Sequence, residues 1–173
     1  LIVVGNAQLL SISKNVSVVG GGPALAGGEL EYRVRVFNIG LVPAMTIFIS
    51  DDLDLPVAGQ MTYVAGSGLL NDLPTGVSYT APTLTADYGT NYGALEPGES
   101  AELRFRVLLD NSLPLGTTVT NIAQVYWNSN LQSDSDSVSI DIGGTPGVAN
   151  LNGTLWHDAN FDNLPDSSEL VLI

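Results

Sequence analysis

The chain has 173 residues, 18 acidic against 5 basic side chains and a formal net charge of −13, with 45% hydrophobic and only 13% charged residues. So acidic a balance excludes nucleic acid and anionic membrane surfaces, which need Lys and Arg, and it suits divalent cations. The hydrophobic share excludes a disordered acidic tail, and the length allows one medium domain with a real core plus a fragment of another.

The chain opens on Leu-Ile-Val-Val, residues 1–4, a strand-like apolar run without a basic flank. Neither a signal peptide nor a membrane-spanning run is legible, so no direct membrane insertion is expected. From residue 8 onward, apolar residues alternate with period two, rich in Val, Ile, Thr and Tyr, and Gly/Pro/Asn/Asp clusters interrupt them at short intervals. That pattern predicts strands at 8–19, 29–38, 44–51, 61–65, 77–80, 101–109, 117–127 and 135–142. Loops are expected at 20–28, 53–60, 71–76 and 87–99. The last is long for a compact domain and is a candidate for a binding surface or a short extra hairpin. No amphipathic helix is expected. Seven or eight short strands with turn signals between them predict an all-β, immunoglobulin-like antiparallel β-sandwich. Gly-Gly-Thr-Pro-Gly at 143–147 reads as a linker. The expected organisation is an N-terminal strand or linker at 1–6, the sandwich at 7–142, a linker at 143–148, and a second β module beginning at 149–173.

Lys14 is the chain's single lysine. Alternation along the first strand puts it on the face of Leu10, Ile12, Val16 and Val18, pointing into the core. The same count aligns Asp51 with Met45, Ile47 and Ile49, and Asn121 with Val119, Ala123 and Val125. A buried ammonium must find a partner or lose its charge. Two arrangements meet that demand. In one, desolvation makes Lys14 a neutral nucleophile and keeps Asp51 protonated, and Lys14 attacks the Asn121 carboxamide to form an intramolecular isopeptide bond. In the other, Lys14 and Asp51 form an ion pair with Asn121 as hydrogen-bond partner. A third arrangement avoids the burial, with Lys14 snorkelling out at the strand end. Asp52 is the alternative acid, but alternation turns it outward. The trio resembles that of pilin-type immunoglobulin-like domains, which place Lys on the first strand and Asn near the last.

Residues 158–169 read Asp-Ala-Asn-Phe-Asp-Asn-Leu-Pro-Asp-Ser-Ser-Glu. Side-chain oxygens of Asp158, Asn160, Asp162, Asp166 and Glu169 fall at positions 1, 3, 5, 9 and 12, and the Leu164 carbonyl falls at position 7. This is the ligand spacing of a twelve-residue calcium loop. Asn163 stands at position 6, where Gly is usual, and accepts left-handed angles more readily than other side chains. Pro165 and the absence of flanking helix patterns set the loop apart from a paired EF-hand. Calcium is the cofactor expected here, and a solvated acidic turn is the alternative.

Weaker signals have plainer explanations. Asp134, Asp136 and Asp141 read as a solvated strand face or a second cation site. Tyr63, Tyr88, Tyr92, Tyr126 and Trp127 read as packing residues or a carbohydrate platform. Arg33, Arg35, Arg104 and Arg106 read as an exposed sheet face. His157 stands alone, without the partners a catalytic triad needs.

Residues 29–40, Glu-Leu-Glu-Tyr-Arg-Val-Arg-Val-Phe-Asn-Ile-Gly, resemble the strand and Asn-x-Gly turn of the bacterial and archaeal "conserved repeat" surface-protein domain (domain of unknown function eleven). Residues 47–56, with Leu55-Pro56, resemble its Asp-x-Leu-Pro element, and residues 95–105 and 116–125 resemble its closing strands. Residues 151–169 resemble the start of a B-type repeat of Sdr-type surface adhesins, and that likeness implies calcium in the acidic loop. Together these likenesses imply an extracellular structural module: a stalk, adhesin or filament subunit. A module binding polysaccharide or host protein through the sandwich loops is the alternative, and an enzyme the third class. The expected partners are neighbouring copies or adjoining domains, met by strand pairing through residues 1–4 or 170–173, or a glycan or other surface ligand.

Overall fold

The computed structural model describes residues 8–143 together with the backbone of 155–156 and 171–172. Two five-stranded sheets face each other. The first contains β1 (Leu10–Val18), β2 (Glu29–Asn38), β4 (Met61–Tyr63), β5 (Leu69–Leu70) and β8 (Ser100–Leu109). Its order is β1-β2-β8-β4, with β5 also paired to β8. The second contains β3 (Phe48–Asp52), β6 (Val77–Thr80), β7 (Thr83–Asp87), β9 (Thr118–Trp127) and β10 (Gln132–Asp141), in the order β10-β9-β3-β7-β6. All strand pairs within the two sheets are antiparallel. The molecule is therefore the expected all-β, immunoglobulin-like sandwich.

The alternation read from sequence decides which side chains fill the space between the sheets. Leu30, Val34, Val36, Leu103, Phe105 and Val107 from the first sheet are fully buried, as are Ile49, Leu84, Ala86, Val119, Ala123 and Val125 from the second. The outer face of the first sheet carries the four arginines, each paired with an acid: Arg33 with Glu31, Arg35 with Glu102, Arg104 with Asp72, and Arg106 with Glu29 and Glu31. Such exposed pairs contribute little stability, and they keep that face soluble.

The departures from expectation are local. The third strand begins at Phe48 and not at residue 44, because Thr46 sits at φ 53°, which interrupts the pleat and turns Met45 outward. Thr46 is fastened there by its hydroxyl, which donates to the Met45 carbonyl (2.7 Å) and accepts the Ser129 N–H (2.5 Å). Ala44 keeps a single bridge to Leu95. The long 87–99 connection holds a five-residue helix, α1 (Tyr88–Tyr92), capped by Asp87, whose carboxylate accepts the Thr90 N–H. Strands β5 and β7 are additions to the expected set: β5 is two residues long, and β7 returns antiparallel along β6 directly after the Ala81-Pro82 turn. A further pair, β11 (Leu155–Trp156) with β12 (Val171–Leu172), is antiparallel and joins the two ends of the 157–170 stretch.

Strands β1 and β10 run side by side in the same direction along one edge of the sandwich, Ile12 meeting Asp134 and Lys14 meeting Asp136. Residue 8 and residue 143 consequently lie toward opposite ends of the domain.

Asn38 closes β2 and organises the turn after it. Its amide donates to the carbonyls of Val42 (2.9 Å) and Leu95 (2.7 Å), and its side-chain oxygen accepts the Gly40 N–H (2.9 Å). At 2% exposure its three partners have little access to substitute water. Asn38→Ala is expected to lower unfolding free energy by about 1–3 kcal/mol, since it removes three hydrogen bonds and leaves the Val42 carbonyl without its partner, while Gly40 N–H keeps Leu9 O and the Leu95 carbonyl keeps Ala44 N–H. Chemical denaturation measures it, and a change below about 0.5 kcal/mol, the size of an ordinary surface substitution, would show that the turn is not anchored this way.

Candidate functional site

Lys14, Asp51 and Asn121 come from three strands and two sheets, and all three side chains point between the layers. They are 4%, 0% and 0% exposed. The Lys14 ammonium donates to Asp51 Oδ2, so the pair joins the first sheet to the second through the dry interior. Asn121 lies one inward-facing step, about 7 Å, along β9 from Ala123, the residue paired with Asp51. Asp52, the alternative acid, is only half-buried and spends its carboxylate on the Asp54 N–H.

Aromatic rings wall the pair. The Lys14 nitrogen is 4.7 Å from the centroid of the Tyr32 ring and 5.2 Å from that of Phe105, and the two rings stack at 5.4 Å. Both rings are fully buried. Sequence reasoning passed over Tyr32 and Phe105, although alternation on β2 and β8 places both inward.

Burial sets the electrostatics. Desolvation pushes the Lys14 ammonium below its ordinary pKa, against the opposing pull of Asp51 and, more weakly, Asp136. Desolvation likewise pushes the Asp51 carboxyl above the usual carboxylate range, opposed by Lys14 and by Asn121. Both shifts favour the neutral forms, an amine beside a carboxylic acid. The Tyr32 hydroxyl is raised by burial and by the nearby Asp51.

Buried polar atoms normally have partners, and exceptions need a reason. Among the described residues the buried side-chain atoms without one are Tyr32 Oη, Asp51 Oδ1, Asn121 Nδ2, Asn121 Oδ1 and Gln60 Oε1. Four of the five belong to this one cluster. Asn121 faces Asp51 closely enough to oppose part of the rise of its carboxyl, yet neither carboxamide atom makes a hydrogen bond of regular geometry. An amine, a carboxyl group and a carboxamide without a regular hydrogen bond are thus buried side by side.

Other candidates are accounted for. Asp134 is exposed, as a solvated face requires, with one oxygen 3.4 Å from the Ile12 N–H, whereas Asp136 is half-buried and its carboxylate accepts the Lys14 N–H (2.7 Å) along the edge of β1. Asp141 accepts from the Thr118 hydroxyl (2.7 Å). Among the described residues no three His, Cys, Asp or Glu side chains converge on a cation site. The aromatic residues pack: Tyr63 on Tyr79 at 4.6 Å, Tyr88 on Tyr92 at 5.0 Å, and Trp127 buried at 3% exposure. The calcium-loop residues Asp158, Asn160, Asp162, Leu164, Asp166 and Glu169, together with His157, the linker at 144–148 and the run at 1–4, lie outside the described residues. Residues 171–172 pair with β11 of the same chain.

No family model matches the sequence, and no curated protein does either. Solved structures do. The BcpA major pilin subunit of Bacillus cereus aligns at TM-score 0.53 and 15% identity, over 78% of this chain and 40% of BcpA. The fold resembles that of Gram-positive pilin and adhesin domains. The full-length major pilin SpaD of Corynebacterium diphtheriae aligns at TM-score 0.54 and 15% identity, over 75% of this chain and 34% of SpaD. The collagen-binding domain of a Staphylococcus aureus adhesin aligns at TM-score 0.50 and 11% identity, over 75% of this chain and 96% of that domain. The chain thus spans well under half the length of the pilins it matches. No helix among the described residues is long and apolar enough to cross a membrane.

Proposed function

We propose that this chain is a structural module of an extracellular surface or fibre protein, stiffened by an internal Lys14–Asn121 isopeptide bond and by calcium. The observation that carries the reading is the buried Lys14–Asp51 pair beside an Asn121 carboxamide with no hydrogen-bond partner. The likeness in fold to pilin subunits supports it.

The chemistry follows from this burial. Proton transfer from the Lys14 ammonium to Asp51 gives a neutral amine, a transfer that the apolar surroundings favour. The amine nitrogen attacks the Asn121 carbonyl carbon while Asp51 donates its proton toward the carboxamide. One C–N bond forms, the other breaks, and the side-chain nitrogen of Asn121 leaves as ammonia. The product is a secondary amide, and the protons balance without an added reagent. Neutralising both charges in the core removes the desolvation penalty of an ion pair. Closing residues 14–121 by a covalent link constrains the unfolded chain, and the disulfide analogy puts that at about 4–5 kcal/mol. A single self-directed turnover of this kind is not an enzymatic activity.

The calcium proposal rests on the oxygen donors at 158–169 and their spacing. Asp158, Asn160, Asp162, Asp166, Glu169 and the Leu164 carbonyl are the hard ligands this ion takes. The β11–β12 pair brackets that stretch, so its two ends are already neighbours. In a chain of tandem modules, ion binding there would set the angle of the next unit. Partners are then adjoining modules or neighbouring copies. A glycan-binding role has less support, because Tyr63, Tyr88 and Tyr92 are stacked in pairs and Trp127 is buried, which leaves Tyr126 with its hydroxyl on Gln124 as a single unstacked ring.

Intact-mass measurement of the full chain is expected to show the loss of one ammonia, and Lys14→Arg, Asp51→Ala and Asn121→Ala each to restore the unmodified mass. An unmodified wild-type mass would sink the crosslink. Titration calorimetry is expected to give one calcium per chain, with Glu169→Ala weakening binding by about tenfold or more. Absence of a calcium heat from the wild-type chain would remove the ion from the account.

A further inference from the structure

The Lys14 side chain is held inside the sandwich, and its backbone is held from outside it. Lys14 N–H donates to Asp136 Oδ2 at 2.7 Å, a charge-assisted contact across the seam between the sheets. Asp136 pairs with Ala123, and Ala123 pairs with Asp51, so the two aspartates stand in one row across β10, β9 and β3. That row grips Lys14 twice: Asp51 takes the ammonium and Asp136 the backbone N–H. No main-chain ladder joins β1 to β10; β1 pairs with β2 alone. Between β1 and β10 themselves the described hydrogen bonds are those of Asp134 and Asp136, the former long at 3.4 Å; beyond the strand ends, Trp127 Nε1 donates to the Gln8 carbonyl and Gly143 N–H to the Ala24 carbonyl.

We infer that Asp136 is a positioning residue for the Lys14–Asn121 crosslink: it fixes the register of β1 against the second sheet, so that the lysine nitrogen meets the Asn121 carbonyl. The inference rests on the crosslink reading above. A slip of β1 by two residues would keep its apolar face inward and offer Ile12 or Val16 to Asp51 in place of Lys14. The β1–β2 ladder does not prevent a joint displacement of that edge relative to the second sheet. The Asp136 contact opposes it at Lys14 itself, while the Trp127–Gln8 and Gly143–Ala24 bonds act only beyond the ends of β1. Asp136 carries a second consequence, because its negative charge favours the Lys14 ammonium and so opposes the neutral amine. Asp136 therefore positions the nucleophile at some cost to its reactivity, and the two effects separate by substitution. Asn at 136 retains an oxygen that accepts the N–H and carries no charge; Ala retains neither.

The test follows ammonia loss by intact mass over time after cell-free synthesis of the full chain. Wild type, Asp136→Asn, Asp136→Ala and Asp134→Ala are compared at a temperature where circular dichroism shows all four folded. Asp136→Ala is expected to crosslink roughly ten- to hundredfold more slowly, the scale of a misplaced reacting group. Asp136→Asn is expected at or above the wild-type rate, and Asp134→Ala near it. A wild-type rate in Asp136→Ala, or an Asp136→Asn variant as slow as the alanine, overturns the positioning role and leaves the crosslink standing. A wild-type chain that never loses ammonia overturns the crosslink and this inference with it.

Discussion

A lysine and an aspartate with no access to water face each other at the centre of this molecule, and much of the sandwich is arranged around that fact. An ammonium and a carboxylate taken out of water lose several kcal/mol of hydration each, and their mutual attraction repays this only when the remaining valences are met. Here they are not fully met. Asp51 has one oxygen without a partner, and the Asn121 carboxamide beside it has two atoms in the same state. The rings of Tyr32 and Phe105 offer the lysine a polarisable face but no hydrogen-bond acceptor. Such an arrangement is a poor way to stabilise a fold and a good way to prepare a reaction. Transfer of one proton and loss of one ammonia would convert the least satisfied atoms of the core into a neutral amide.

Position along the strands turns that local chemistry into a mechanical property. Lys14 lies near the start of the domain on β1, while Asn121 lies on β9, the last strand but one of the sandwich. Because β1 and β10 run in the same direction at one edge, tension between residues 8 and 143 is directed along the strands. A bond from Lys14 to Asn121 would carry that tension past residues 15–120 and relieve their hydrogen bonds of it. The edge itself is closed unusually, by aspartate side chains reaching to backbone N–H groups in place of a strand ladder. That closure also removes the exposed donors of β1 from pairing with another chain.

Legibility in the sequence followed the length of the alternation. Strands of nine or ten residues, β1, β2, β8 and β9, gave the sandwich, its core face and the inward aim of Lys14 and Asn121, because each presents four or five inward positions in step. Asp51 was placed correctly although Met45 was not, since Thr46 breaks the pleat between residues 45 and 47. Nothing in the residue types announces a threonine in the left-handed region; only the contact from Ser129 explains it. Asp136 was legible in principle. Ile142, Ile140 and Val138 mark the inward face of β10, and two further steps reach Asp136 and Asp134. Their acidity suggested solvent, which Asp134 does face, and the partner that holds Asp136 half-buried, the open edge of β1, exists only once the sheets are assembled. The short strand β5 and the helix α1 depend on tertiary contacts and left no pattern to read.

Single-molecule force spectroscopy tests the central claim most directly. With the domain pulled through handles joined at residues 8 and 143, a Lys14–Asn121 bond keeps residues 15–120 folded back on themselves however hard the chain is stretched. The account predicts an unfolding length shortened by the span of that stretch, roughly 350–380 Å of extended chain at 3.3–3.6 Å per residue, and its recovery in Lys14→Arg. Full extension of the wild-type domain, with the same length gain as Lys14→Arg, would contradict it.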